Sequence, residues 1–240
     1  MRVAITRPKE RSRATRRLVE ERGWEAIIVP GVEILQRPTH EITAGVGDIR
    51  DYHWVVITSA AGVDIMVDLF GAELKKLKVA VVGSKTGKAL EEKGIKVALV
   101  PRRFRAENLA EELKEQGIKG KRILIARASS GREVLVRELE KEALVREVQL
   151  YDTVVPRDKG PMREFLKELQ DGRIDAVIFT SGQTVENFFS VLGEGLAQAL
   201  NRVKVCAIAP VTKKALEKRG VKGVMMPETY TIDACLDLLE

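Results

Sequence analysis

Histidine and cysteine are nearly missing from this chain, with two of each in 240 residues. The histidines, His40 and His53, stand in polar sequence and read as surface residues. That leaves no imidazole for a Ser-His triad, and no Gly-x-Ser-x-Gly elbow is present to hold a nucleophilic serine. No His/Cys/carboxylate spacing suggests a metal site. Cys206 lies in an apolar strand and Cys235 on an apolar helix face, which reads as two buried thiols in a reducing cytoplasm, not a disulfide. Aromatics make up only 5% of the residues and form no stacking motif, so nucleic acid is not the expected partner. No apolar run is long enough to span a bilayer. Met1-Arg2-Val3-Ala4-Ile5-Thr6-Arg7 enters a strand at once with no signal-peptide pattern, and a cytoplasmic protein is expected.

What is present is charge and repetition. The net charge is +6 with 32% charged residues, both signs interspersed, as in Glu111-Glu112-Leu113-Lys114-Glu115. A solvated, heat-tolerant surface explains that balance, and so does attraction of a polyanionic ligand. The repeat is more specific. Val79-Ala80-Val81-Val82-Gly83-Ser84-Lys85-Thr86 continues through Ala89-Leu90 to Gly94 and Pro101. Val205-Cys206-Ala207-Ile208-Ala209-Pro210-Val211-Thr212 continues through Ala215-Leu216 to Gly220 and Pro227. Each copy follows a strand ending in Thr-Ser, at Thr58-Ser59 and Thr180-Ser181. Two related units imply two lobes, and two lobes suggest a ligand cleft.

Strands read at 2–6, 26–30, 54–58, 78–82, 96–100, 122–126, 146–151, 175–179, 203–208 and 223–226. Helices read at 10–22, 62–70, 85–93, 107–116, 131–142, 161–170, 183–191, 211–219 and 230–239. Such alternation predicts an α/β fold with parallel sheets, here two flavodoxin-like lobes of five strands each. A two-stranded A unit (2–30, again 122–151) alternates with a B unit carrying Thr-Ser (54–116, again 175–239). Two strands are too few for a stable sheet, so each lobe pairs an A with a B. The connector 117–120 is short, whereas 30–38 and 152–161 are longer and contain proline. The expected lobes are therefore 1–33 with 157–240, and 38–152, joined by a two-stranded β hinge at 34–37 and 153–156. Two lobes in series, 1–116 and 121–240, is the plainer alternative. A monomer suits a hinged cleft.

Gly83-Ser84-Lys85-Thr86-Gly87-Lys88 resembles a nucleotide loop but has three residues between its glycines where a Walker loop has four, and Ala89 follows the lysine. Nucleotide binding through this loop is not expected. The turn instead exposes backbone N–H groups at a helix start, where carboxylates bind as readily as phosphates. Thr86 and Thr212 read as helix caps, as ligand hydrogen-bonders, or both. Thr58-Ser59 and Ser181-Gly182 sit at strand carboxyl ends, where capping and ligand contact compete. Tyr151 ends a strand and reads either as an interdomain packing residue or as a phenol acting as proton donor. Arg7 and Arg127 end equivalent strands; each fits a surface salt bridge or a ligand carboxylate.

The whole chain resembles the uroporphyrinogen-III synthase family through Ile57-Thr58-Ser59, Val82-Gly83-x-x-Thr86, Ala106-Glu107-Asn108-Leu109-Ala110, Leu150-Tyr151-Asp152-Thr153-Val154, Phe179-Thr180-Ser181-Gly182 and Ala209-Pro210-x-Thr212. The resemblance implies two α/β lobes and a substrate, hydroxymethylbilane, that is a linear tetrapyrrole with eight carboxylates. It implies closure to uroporphyrinogen III with ring D inverted, through an azafulvene and a spiro intermediate, with no cofactor. By the family pattern Tyr151 matches the residue that assists hydroxyl departure, and Thr58, Ser59, Gly83, Ser84, Thr86, Ser181, Gly182 and Thr212 match substrate-contacting positions. Two departures stand out. Val211-Thr212 replaces a Thr-Thr pair, and Ala209 replaces a glycine, which restricts that turn. A non-catalytic tetrapyrrole- or polyanion-binding module of the same fold is the competing reading.

Overall fold

The computed structural model describes residues 1–8, 12–131 and 133–240. Residues 10, 11 and 132 of the expected helices 10–22 and 131–142 lie outside the described residues. Chain contacts divide the protein into two compact units, Met1–Glu33 with Val154–Glu240, and Ile34–Thr153.

The first unit holds a four-stranded parallel sheet of β1 (Arg2–Thr6), β2 (Glu25–Ile28), β9 (Ala176–Phe179) and β10 (Lys204–Ala207), in the order β10-β9-β1-β2. Its strands are short Val/Ile/Ala runs buried on both faces, as parallel strands covered by helices must be. One face packs on α7 (Gly160–Gln170), α8 (Gly182–Leu192), α9 (Gly195–Leu200) and α10 (Pro210–Lys218), where Phe165, Phe179 and Phe188 meet edge to face at 5.5 and 5.6 Å. The other face packs on α1 (Ser12–Glu20) and α11 (Ile232–Asp237), with both cysteines buried as free thiols. A hydrogen bond from one thiol to the other, together with burial, pushes the Cys235 thiol up.

The second unit holds a six-stranded sheet, β3-β8-β7-β4-β5-β6, formed by β3 (Glu33–Gln36), β4 (Trp54–Ile57), β5 (Lys78–Val81), β6 (Val97–Leu99), β7 (Arg122–Ala128) and β8 (Leu144–Val154). β4 to β8 pair in parallel. α2 (Thr39–Val46), α3 (Ala60–Leu74) and α4 (Ser84–Glu92) cover one face, and α5 (Ala106–Glu115) and α6 (Val134–Glu140) the other.

The α/β class and parallel sheets follow the expectation; the division into five and five strands does not. Residues 223–226 form only an isolated bridge, Cys206 to Met225, because Gly223 at φ 63° and Pro227 bound the segment too closely for a strand. The second sheet gains β3 at its edge, beside β8. Periodicity also missed α2 and α9, both under nine residues long and too short to show a helical apolar stripe. The offset between the two B units grows by four residues along their length, and the helices show where. α3 stays continuous across a kink at Phe70 (φ −139°). The second copy breaks there into α8 and α9, around Gly193 at φ 72°.

Candidate functional site

Each sheet puts its polar residues at the carboxyl ends of the strands, and the two sets are built differently. In the first unit, β1 ends at Thr6-Arg7 and β9 at Thr180-Ser181. The Thr180 hydroxyl donates to the Thr6 carbonyl at 2.7 Å, the Thr180 amide donates to the Thr6 hydroxyl at 3.3 Å, and the Thr6 hydroxyl donates to the Ile178 carbonyl at 3.2 Å. These groups are locked into one another. Ser181 caps α8, accepting from the Thr184 amide, and its hydroxyl also pairs with the Thr184 hydroxyl at 2.8 Å. Arg7 donates to the Thr15 hydroxyl at 2.6 Å. Gly182 faces Val211, whose Cγ1 lies 3.4 Å from the place a Cβ would occupy, so the exposed Val211 stands over the start of α8.

In the second unit, β4 ends at Thr58-Ser59. Ser59 caps α3 by accepting from the Gly62 amide at 3.1 Å, as Ser181 caps α8. Its hydroxyl then reaches a different partner, the phenol of Tyr151, at 2.8 Å. Tyr151 gets there because the register of β8 on β7 shifts by one residue: Arg127 faces Gln149, but Ala128 faces Tyr151. A bulge of this kind re-aims a side chain. It puts Leu150 and Tyr151 consecutively into the same core, where strict alternation would send them to opposite faces of the sheet. Tyr151 is 6% exposed.

Next to Tyr151 lies a set of polar residues that sequence reasoning missed. The Ser129 hydroxyl and then the Arg37 guanidinium, 3.1 Å away, hold the Asp152 carboxyl below its usual range. The Ser129 amide donates to the Tyr151 carbonyl at 3.0 Å, and the Arg37 amide to the Leu150 carbonyl at 2.9 Å. Asp152 stood inside a noted motif, but nothing local in sequence ties it to residues 23 and 115 positions away.

The structure corrects several sequence-level readings. Thr86 and Thr212 do not cap their helices; Gly83 and Ala209 occupy the cap positions without a side-chain bond, and both threonines are buried in the first turn. Ala209 does not strain its turn, since its φ of −154° is extended backbone and matches −143° at Gly83. Arg127 is no surface ion pair. It is 5% exposed, bonded to Glu147 at 2.8 Å and to the Gly131 carbonyl. With Thr58 it lines a cavity of about 230 Å³ whose other walls include Val82, Ala106, Ile125 and Leu135. Ser84 is exposed beside Lys85 and Lys88 in a groove that Val100 closes on one side. His40 and His53 are exposed, as expected. Among the described residues, no three His, Cys, Asp or Glu side chains are placed to hold a metal ion, and no helix is long and apolar enough to cross a membrane.

Comparison with known proteins gives a consistent result. A family model described as uroporphyrinogen-III synthase HemD matches residues 13–237. A Methanothermobacter thermautotrophicus protein named "Putative uroporphyrinogen-III synthase" is 37% identical, covering 96% of this chain and 94% of its own. A Chlorobaculum parvum protein named uroporphyrinogen-III synthase is 30% identical, covering 95% and 93%. The solved structure of a mutant uroporphyrinogen III synthase from Thermus thermophilus superposes with a TM-score of 0.64 at 24% identity, over 99% of this chain and 96% of that one, which speaks for the fold.

Proposed function

The chain belongs to the uroporphyrinogen-III synthase family, and from that premise we propose that it closes hydroxymethylbilane to uroporphyrinogen III, inverting ring D and releasing water. The observation that carries the reading is the Tyr151–Ser59 hydroxyl pair at 2.8 Å, set at the carboxyl edge of the second sheet.

The leaving hydroxyl of the substrate is a poor leaving group until it takes a proton. Tyr151 supplies one, and the hydroxyl departs as water. Ser59 accepts the Gly62 amide and turns its own O–H toward the phenolate oxygen that results, so the charge forms against a donor already in place. The pyrrole left behind gives its N–H proton to water to become an azafulvene, and it takes a proton back from water when the new carbon–carbon bond forms. The substituted carbon of ring D attacks it, giving a spiro centre that fragments and recloses with ring D inverted. The proton lost as ring D regains aromaticity returns to Tyr151, so the enzyme ends as it began. Uncatalysed closure gives the non-inverted isomer. The protein's task is therefore geometric, to hold the ends of the chain so that attack comes from the substituted carbon. The basic balance of the chain and the uncapped turn at Gly83-Ser84, with Lys85 and Lys88 beside it, suit a substrate with many carboxylates.

The test is a coupled assay in which hydroxymethylbilane is made in situ, the products are oxidised, and isomers I and III are separated by chromatography. Predominantly isomer III, against isomer I from a control without the protein, supports the synthase. Isomer I alone from folded protein overturns it in favour of a non-catalytic binding module.

A further inference from the structure

The strand order of the second unit reverses between β4 and β7. The connections that follow these two strands leave in opposite directions, and open α/β sheets take their ligands in the crevice this leaves at the carboxyl ends. Here the crevice is the cavity of about 230 Å³, and its walls are of two kinds. Val82, Ala106, Ile125 and Leu135 are apolar. Thr58 and Arg127 are polar, and both have donor capacity in reserve. Arg127 spends Nη2 on Glu147 and Nη1 on the carbonyls of Ala128 and Gly131, but its Nε–H is buried without an acceptor. The Thr58 hydroxyl has only a long contact of 3.5 Å to the Ala126 carbonyl. A buried donor left without a partner is uncommon in folded proteins and calls for an explanation.

We infer that this cavity holds the end of one carboxymethyl or carboxyethyl arm of the substrate, its carboxylate on Arg127 Nε–H and the Thr58 hydroxyl, its methylenes against Val82, Ile125 and Leu135. The inference rests on the proposed function and names which groups of the chain take one of the substrate's carboxylates. Size limits the occupant. A water's share of liquid volume is about 30 Å³, so the space of about 230 Å³ has room for one short arm but not for the four-ring chain. Electrostatics sets the strength. Glu147 already shares the charge of Arg127, so the pocket offers directed donors more than net positive charge, and an isolated short acid binds at about millimolar strength.

Propionate is the probe. It is titrated into full-length protein labelled with ¹⁵N in its arginine side chains, and the Arg127 Nε–H resonance is followed, assigned through Arg127→Lys. The expected result is a saturable shift in the wild type and, followed through the Thr58 backbone amide of uniformly ¹⁵N-labelled protein, an affinity roughly ten- to hundredfold lower in Arg127→Lys, which loses the Nε donor. Ala106→Leu fills the apolar side and leaves the Arg127–Glu147 pair untouched. It keeps the Arg127 resonance in place and abolishes the shift, so the proposal stays testable if Arg127→Lys does not fold. No saturable shift in the wild type, or an unchanged affinity in Ala106→Leu, overturns the inference. The isomer assay is a separate readout. Isomer III without propionate binding removes this pocket and leaves the synthase standing, whereas propionate binding with isomer I alone does the reverse.

Discussion

The two B units follow one pattern and differ in what surrounds it. Both place Thr-Ser at the end of a strand, both use the serine to cap the next helix, and both follow with an extended, uncapped turn at Gly83 or Ala209. They diverge in what the neighbouring A unit brings. Beside α8 the residue just after that unit is Gly31, so close that an added Cβ would lie 2.2 Å from Thr184 Cγ2, and the Asn187 amide seals the contact by donating to the Gly31 carbonyl at 2.8 Å. Beside α3 the unit brings a strand that bulges and delivers the phenol of Tyr151 to Ser59. At the switch points the contrast repeats. Thr6 and Thr180 bond to each other, whereas Thr58 and Arg127 border an open cavity. One copy spends its polar groups on internal order, and the other keeps them available. The difference lies in the segments that flank the repeat, not in the repeat itself.

The largest effect is expected from Tyr151→Phe. Removal of the phenol is expected to lower turnover about a hundredfold or more while substrate binding stays within about threefold. Steady-state kinetics that show unchanged turnover would reduce Tyr151 to packing and erase the asymmetry between the copies. The matching change in the other copy is Gly31→Ala, which overpacks the contact with α8 and costs about 1–3 kcal/mol. Thermal unfolding should show a drop of about 2–4 °C per kcal/mol, and an unaltered midpoint would mean that Gly31 is not held as described. Ser59→Ala and Ser181→Ala separate the shared role from the particular one. Each loses a helix cap and about 1 kcal/mol, but only Ser59→Ala should also slow turnover. Equal turnover in the two variants would sink the claim that the second hydroxyl partner matters. The smallest effect belongs to Gly83→Ala, which makes the first copy resemble the second. With φ at −143° and no atom within 4 Å of the added Cβ, stability should change by less than about 0.5 kcal/mol. A larger loss in chemical denaturation would show that the two turns are not equivalent.

Periodicity and the Thr-Ser repeat made the α/β class and most strands legible, because a buried parallel strand needs a short Val/Ile/Ala run and leaves that mark in any sequence. Elements with weak marks were lost: α2 and α9 are too short for a stripe, and residues 223–226 carry a strand-like run that Gly223 and Pro227 cut down to a single bridge. The candidate site residues were legible as a set of strand-end hydroxyls, but their hydrogen-bond partners were not. Capping was right for Ser59 and Ser181 and wrong for Thr86 and Thr212. The two pairs look alike in sequence, and only the backbone shows which residue stands at the cap position.

By itself, then, the sequence determined the alternation of strands and helices, the internal repeat, and which polar residues stand at the ends of strands. These depend on spacing and on the apolar character of near neighbours, and spacing is written along the chain. Tertiary structure alone decided which of those residues meet. Ser59 and Tyr151 are 92 positions apart, and a one-residue shift in strand register makes them partners. Thr58 and Arg127 share a cavity because β4 and β7 are neighbours in a sheet whose order the chain does not follow. Register and strand order are set by the packing of the whole unit at once, and no local stretch of the sequence carries them.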